Sequence, residues 1–234
     1  MTMPVVLVTG GYDHKIRFWE ATGGSCVKII PHTASQVNCI SISADKCLVA
    51  VGGNPQIQLF DVNSAADTPV LVFDGHSGNV TFVGFQKDLK WLYSSSEDNT
   101  VKVWDLRTPS CLRTFDCYYP VNTVCLHPNQ LDLISGDENG CMRIWDLSSA
   151  AGSGEKSSSK DEFTPLPDVP IRSVSIACDA SILAVGSHKG HLLIYVPDQK
   201  GVGYCRVGLG LASIYRMDWI GLMYLREFSE PIRA

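Results

Sequence analysis

Five short segments of this chain end alike. They are Ile16-Arg-Phe-Trp19, Ile57-Gln-Leu-Phe60, Val101-Lys-Val-Trp104, Met142-Arg-Ile-Trp145 and Leu192-Leu-Ile-Tyr195. Their closing aromatic residues are spaced 41, 44, 41 and 50 residues apart. Each is four residues long with apolar side chains at intervals, as a strand requires. Three are followed directly by aspartate: Trp104-Asp105 and Trp145-Asp146 are Trp-Asp pairs, and Phe60-Asp61 is a near variant. An internal period of this length restricts the chain to a repeat architecture, because each unit buries its apolar face only against the next.

The residues around each ending say what the unit is. A turn pair lies five or six residues before each aromatic: Asp13-His14, Asn54-Pro55, Asp98-Asn99, Asn139-Gly140 and Lys189-Gly190. Most of these tolerate the positive φ of a tight hairpin, whereas Asn54-Pro55 needs a different turn. Before each turn is a short strand of small and apolar residues: Leu7–Gly11, Leu48–Gly53, Leu92–Ser96, Leu133–Gly136 and Leu183–Ser187. Earlier still come Val37–Ile42, Val80–Phe85, Val121–Leu126 and Val174–Ile176. Strands and hairpins recur without helices, which predicts the four-stranded blade of a WD-repeat β-propeller in an all-β chain. Seven such blades of ~42 residues would need about 300 residues. With 234 residues, the expectation is an incomplete propeller of about four to five blades. Blades are expected over 1–196, with 148–165 a flexible Ser- and Gly-rich loop and 197–234 a divergent, non-repeat tail.

Composition narrows the function classes. Apolar residues make up 45% of the chain, enough for a sizeable core, and charged residues 18%, with a net charge of −5. There is no basic footprint for nucleic acid. No stretch approaches the ~18 apolar residues of a membrane helix. The nearest, Val207–Leu225, is broken by Arg216 and Asp218. The N-terminus has no basic region and Val5–Val8 is too short for a signal core, so a cytoplasmic chain is expected. The nine cysteines form no CxxC pair, and most sit in apolar runs, where a thiol behaves as a small hydrophobe. Asn79-Val80-Thr81 is read as a chance match to a glycosylation acceptor.

One repeat carries a fuller polar set. His76 follows Gly75, Ser94 and Ser96 lie on the next strand, Asp98 is in the hairpin turn and Trp104 ends the unit. Carboxylate, imidazole, hydroxyl and indole N–H can form one buried hydrogen-bonded chain, with His76, Ser94, Asp98 and Trp104 as its members. A Ser/His/Asp trio also invites a hydrolase reading. The residues keep blade-specific spacing and other repeats lack members, so a structural lock is the better account. Val5-Val-Leu-Val-Thr-Gly-Gly11 resembles a dinucleotide-binding strand, but Tyr12-Asp13-His14 turns into another strand and not a helix. His188 and His191 belong to a hairpin and not to a metal site. No catalytic residue, metal site, cofactor or small-molecule substrate is expected.

Several segments together are more specific than Trp-Asp endings. They are Gly11-Tyr-Asp-His-Lys-Ile-Arg-Phe-Trp19, Ser35-Gln-Val-Asn38, Trp91-Leu-Tyr-Ser94 with Glu97-Asp98, Val103-Trp-Asp-Leu-Arg107, Cys125-Leu-His-Pro-Asn-Gln130 and Ile144-Trp-Asp-Leu147. In these the chain resembles the small WD-repeat subunit of the target-of-rapamycin kinase complexes, the G-protein-β-subunit-like family. The likeness covers residues 5–147 well and 165–196 loosely, as a C-terminally truncated or divergent form would. It implies a propeller that docks on the kinase domain and stabilises it without catalysis of its own. It also implies that Gln36 and Asn38, at the start of the second repeat's inner strand, face the kinase. Aromatic residues of a late blade complete that surface in the family, and no segment here matches them. Residues alone place Gln36 and Asn38 on the rim of one propeller face, where binding residues gather. They would equally serve to satisfy loop backbone groups. The preferred expectation is a scaffold for the kinase and its complex subunits. The alternative is a WD-repeat adaptor of another assembly, such as a ubiquitin ligase or a trafficking coat.

Overall fold

A computed structural model describes residues 6–20, 22–148, 159–197 and 204–211. Among these residues there are strands and no helices, arranged in five antiparallel sheets. The first sheet holds β1 (Val6–Gly10), β2 (Lys15–Glu20) and β3 (Cys26–Pro31). The second holds β4 (Cys39–Ile42), β5 (Leu48–Gly52), β6 (Ile57–Asp61) and β7 (Leu71–Phe73). The third runs β8 (Val80–Phe85), β9 (Trp91–Ser96), β10 (Thr100–Asp105) and β11 (Cys111–Asp116). The fourth runs β12 (Val121–Leu126), β13 (Asp132–Asp137), β14 (Met142–Asp146) and β15 (Asp161–Phe163). The fifth runs β16 (Ile171–Ile176), β17 (Leu183–Ser187), β18 (His191–Pro197) and β19 (Tyr204–Leu211).

Each sheet is a meander in chain order, and the first strands of successive sheets β4, β8, β12 and β16 are neighbours. They line the inner side of an arc of blades, and the incomplete all-β WD propeller expected from the repeat is what forms. The three-stranded sheet is the first one. It begins with the equivalent of a second strand, since β1 pairs β2 as β9 pairs β10.

The hairpin chemistry falls where the turn pairs lie. His14, Asn99, Gly140 and Gly190, the second residues of four of those pairs, have φ of 60°, 65°, 80° and 78°. The fifth pair, Asn54-Pro55, is joined by a cis peptide bond. Residues 6–11 of the dinucleotide-like segment lead into this hairpin geometry and not into a helix, since β1 pairs directly with β2. A second set of left-handed residues lies at the inner turns: Lys46, Leu89, Gln130 and Ala180. Where an aspartate follows the strand-ending aromatic, it closes the next turn. One carboxylate oxygen each of Asp61, Asp105 and Asp146 accepts the amide two residues on, at 2.8, 2.8 and 2.7 Å. This is the short-range bond that makes aspartate a turn former.

The core is divided among the gaps between blades. Phe60 lies with Ile16, Phe18 and Ile30 of the first sheet, and Trp104 with Ile57, Leu59 and Phe73 of the second. Trp145 packs on Val101, Val103 and Phe115, and Tyr195 on Ile134, Met142 and Ile144. Each of these large side chains contributes about 1.5–3 kcal/mol of apolar burial. Opposite each aromatic in register is an aliphatic residue, as in Leu92–Trp104 and Leu133–Trp145. The small residues of the second strands have a packing reason. A Cβ on Gly136 would come 2.5 Å from Ile171, and one on Gly52 would come 2.8 Å from Val80, in each case the first residue of the next blade's inner strand.

Two boundaries differ from the sequence-based expectation. β19 pairs with β18 along its length, so the sheet continues past residue 196 into the stretch read as tail. β15 lies within the stretch read as a loop and pairs with β14. Both are outermost strands. These strands carry few buried residues: β3 and β11 bury one each, Ile30 and Phe115. They therefore show no alternation to read. Residues 149–158 and 212–234, which hold most of the predicted loop and tail, lie outside the described residues.

Candidate binding face

The loops entering the inner strands and the central hairpins of each blade share one face of the arc. Gln36 and Asn38 lie there, at the entry to β4. Gln36 is half-buried, and its side-chain amide makes no hydrogen bond among the described residues. Asn38 is buried. Its amide donates to the Gly53 carbonyl at 3.1 Å and to Asn79 Oδ1 of the next blade at 3.4 Å.

The same arrangement recurs around the arc. Asn79 donates to Glu97 Oε2 at 2.7 Å. Thr81, at the register position of Asn38, donates to the Val121 carbonyl of the following blade at 2.6 Å. Asn122 occupies that position in the fourth blade and donates to Glu138 at 2.7 Å and to the Ile171 carbonyl at 2.9 Å. Arg172 follows in the fifth, with its guanidinium on Asn122 Oδ1 at 3.3 Å and 3.4 Å from Glu138. A ladder of amides, hydroxyls and carboxylates thus ties the second to the fifth blades together just under this face. Sequence reasoning picked out only its first rung. The signal for the rest was present, since Asn38, Thr81, Asn122 and Arg172 each follow the apolar residue that opens an inner-strand segment. Asn79, the middle of the glycosylation-like triplet, is a member of this ladder.

The polar set of the third blade assembles as one chain. His76 Nδ1 lies 2.8 Å from Asp98 Oδ2, and His76 Nε2 lies 2.7 Å from Ser94 Oγ. The Trp104 indole donates to Ser94 Oγ at 2.8 Å. With Nδ1–H facing the carboxylate, Nε2 accepts the Ser94 hydroxyl proton, and every group is satisfied with a neutral imidazole. Ser94 is the serine used; Ser96 instead accepts the Asp98 amide at 3.1 Å. Burial works against the Asp98 charge. Hydrogen bonds from His76, from Thr100 and from the Ser77 amide outweigh it and hold the carboxyl well below the usual range. Ser94 is fully buried and its oxygen already receives the indole N–H. A substrate carbonyl has no approach to it, and the hydrolase geometry fails for that reason.

Reduced versions of this lock sit in other blades. Trp19 donates to Thr9 at 2.8 Å and Trp145 to Ser135 at 2.9 Å, each ten residues upstream, as Ser94 is of Trp104. At the position of His76, four residues before the inner strand, the fourth blade has Cys117, and it places an ion-paired cluster in the same region. Buried Arg143 donates to Asp137 at 2.7 Å and to Glu162 at 3.1 and 3.2 Å, with the Tyr118 ring 5.3 Å from its guanidinium. Burial opposes the Arg143 charge, but Asp137 and Glu162 hold it on. Neighbouring Cys117 is pushed up to about 12 by burial, so it is a neutral thiol. Cys26, Cys39, Cys47, Cys111, Cys117, Cys125, Cys141 and Cys178 are all unpaired. His188 and His191 lie at a hairpin, where the backbone amides of both are used, by the Pro170 carbonyl and by Ser187 Oγ.

Comparison with known proteins agrees with this architecture. The model of the WD domain, G-beta repeat, matches residues 24–61, 67–105 and 109–146. A target of rapamycin complex subunit, wat1 of Schizosaccharomyces pombe, is 47% identical over 82% of this chain and 59% of its own length. The target of rapamycin complex subunit LST8 of Bos taurus is 40% identical over 82% of this chain and 57% of its own. The subunit of the same name from Saccharomyces cerevisiae is 46% identical over 82% and 61%. The chain belongs to the WD-repeat family of these subunits. It spans about 60% of the length of these relatives. The WD-repeat matches are offset from the blades. The match at 67–105 takes in β7, the outer strand of one sheet, and then β8, β9 and β10 of the next. Each WD repeat therefore latches two blades together.

Proposed function

We propose that this chain is a non-catalytic scaffold that binds the kinase of the target-of-rapamycin complexes and stabilises its catalytic domain. The observation that carries the reading is the 40–47% identity to proteins named as subunits of those complexes, extending over 82% of this chain. The geometry supports a scaffold. The polar groups that a hydrolase would need are locked inside a blade, and the ladder beneath one face holds its rim loops in fixed positions. On that face Gln36 offers a free amide to a partner, while Asn38 sets the position of the loop that carries it. Rigid presentation lowers the ordering cost of binding.

The test is co-purification of the kinase with tagged full-length chain, wild type and Gln36→Arg. The wild type is expected to retain the kinase. The variant is expected to lose most of it, with an unchanged unfolding midpoint. No retention by a folded wild type would overturn the scaffold reading, and full retention by Gln36→Arg would overturn the role of that residue.

A further inference from the structure

His32, Ala50, Asn54 and Phe60 each stand 44 residues before His76, Ser94, Asp98 and Trp104. The second blade therefore keeps the histidine of the lock and none of its other members. His32 is 1% exposed. Its Nδ1 lies 2.6 Å from the Ser35 carbonyl oxygen. A carbonyl oxygen only accepts, so Nδ1 carries the proton and Nε2 of the neutral ring is an acceptor. Nε2 is buried and has no partner among the described residues. In the third blade the equivalent atom receives the Ser94 hydroxyl at 2.7 Å, and Ala50 has no hydroxyl to give. A buried acceptor without a donor is destabilising.

What the ring holds instead is the loop that carries Gln36. Residues 33–36 separate His32 from Val37, whereas residues 77–79 separate His76 from Val80. Val37 and Val80 are equivalent, since each closes on the last glycine of a second strand, Gly10 and Gly52. The rim loop of the second blade is thus one residue longer, and its polar groups are met from beneath. The Asn54 amide donates to Ser35 Oγ at 2.8 Å, and that hydroxyl donates to the Gln36 carbonyl at 3.0 Å. Gly53 stands where the third blade has Glu97. A Cβ on Gly53 would lie 2.3 Å from Ser35 Oγ and 2.7 Å from His32 Cε1, so a side chain there would take the space of this support.

We propose that His32 is a positioning residue of the docking face. Its imidazole is turned from the blade lock to the Ser35 carbonyl, where it fixes the loop that presents Gln36 and leaves Nε2 unmet. This rests on the docking role given to Gln36 above. A loop ordered before binding does not have to be ordered on binding. A local rule broken inside an otherwise consistent fold is expected at a functional site.

Four forms of the full chain test this: wild type, His32→Leu, His32→Asn and Ala50→Ser. Leucine fills the space of the ring and donates nothing. Asparagine places an N–H donor where Nδ1 is and has no counterpart of Nε2. Ala50→Ser supplies the missing donor to Nε2. Two readouts are taken besides the unfolding midpoint: co-purification of the kinase, and hydrogen exchange at the Asn54 amide, which needs no kinase. His32→Leu is expected to speed that exchange about tenfold and to lose most of the kinase, with little change in midpoint. His32→Asn is expected to restore both. Ala50→Ser is expected to raise the midpoint and leave exchange and retention as in wild type. A His32→Leu chain that fails to fold or unfolds far below wild type makes His32 a core residue and overturns the proposal. So does wild-type exchange at Asn54 in that variant, wild-type retention by it, or a His32→Asn chain no better than His32→Leu. No retention by wild type would remove the docking role alone, and the exchange rates would still decide whether His32 holds the loop.

Discussion

Asp98 is the residue on which the third blade's lock turns. Its carboxylate receives His76 Nδ1, the Thr100 hydroxyl and the Ser77 amide. Its pKa in the folded chain is lowered from the ordinary value of 3.8. Stability from a depressed carboxyl is present above the unfolded value and is lost as pH falls towards the folded value. The stability gap between wild type and Asp98→Asn is therefore expected to be constant above about pH 4 and to narrow below it. Urea unfolding at a series of pH values would check this; a gap that widens on acidification would contradict it. Ser94→Ala removes the acceptor of the Trp104 indole and the donor to His76 Nε2. It leaves two buried groups unpaired and is expected to cost about 1–3 kcal/mol, read as a fall in the denaturation midpoint at constant slope. The polar members of this chain were legible from sequence because all four fall within one repeat. Ser94 and Ser96 occupy the same face of β9, and the position of the Trp104 ring is what separates their roles.

At the scale of the strand and turn, the second residues of the central hairpins decide the local fold. Gly140 has φ of 80°, and a Cβ there would lie 2.0 Å from the Leu166 carbonyl oxygen and 2.7 Å from that of Val169. Gly24 has φ of 65° with nothing within 4 Å. Gly24→Ala is expected to cost about 1 kcal/mol, the strain of a left-handed residue alone. Gly140→Ala is expected to cost clearly more, because backbone oxygens cannot move aside as a side-chain tip can. Thermal unfolding of the two variants ranks them, and equal losses would count against the backbone contact. Turn pairs such as Asp98-Asn99 were readable because the left-handed preference is carried by the residues themselves. Leu89 and Ala180 adopt positive φ with no such preference. Their turns are imposed by hydrogen bonds such as Leu89 N–H to the Gln86 carbonyl at 3.0 Å.

For the whole molecule, stability lies between blades. Trp104 is enclosed by the second blade, and Trp19 has no preceding blade against it among the described residues. Trp104→Ala is expected to cost about 3–5 kcal/mol. Trp19→Ala, measured at a concentration where the chain is monomeric, is expected to cost well under half of that. Chemical denaturation gives both values, and comparable losses would mean that the first blade is covered. The same logic explains why blade boundaries and repeat boundaries differ. A repeat ends where the Trp-Asp signal ends, but a blade ends one strand later, at an outer strand that buries one side chain and leaves little pattern.

What the sequence determined by itself is therefore the unit: its period, its strand endings, its hairpin turns and the residue types of its buried lock. These are short-range properties, set by side-chain alternation and by which residues accept left-handed φ, and they need no knowledge of neighbours. Tertiary structure decided what faces what. Asn38 reads as a rim residue until the Gly53 carbonyl and Asn79, 15 and 41 residues onward, are brought against it. Gln36, two residues away, has no side-chain hydrogen bond among the described residues. Leu7 and Leu92 have the same place in the repeat, yet Leu92 is buried against the second blade while Leu7 is exposed, with no blade against it among the described residues.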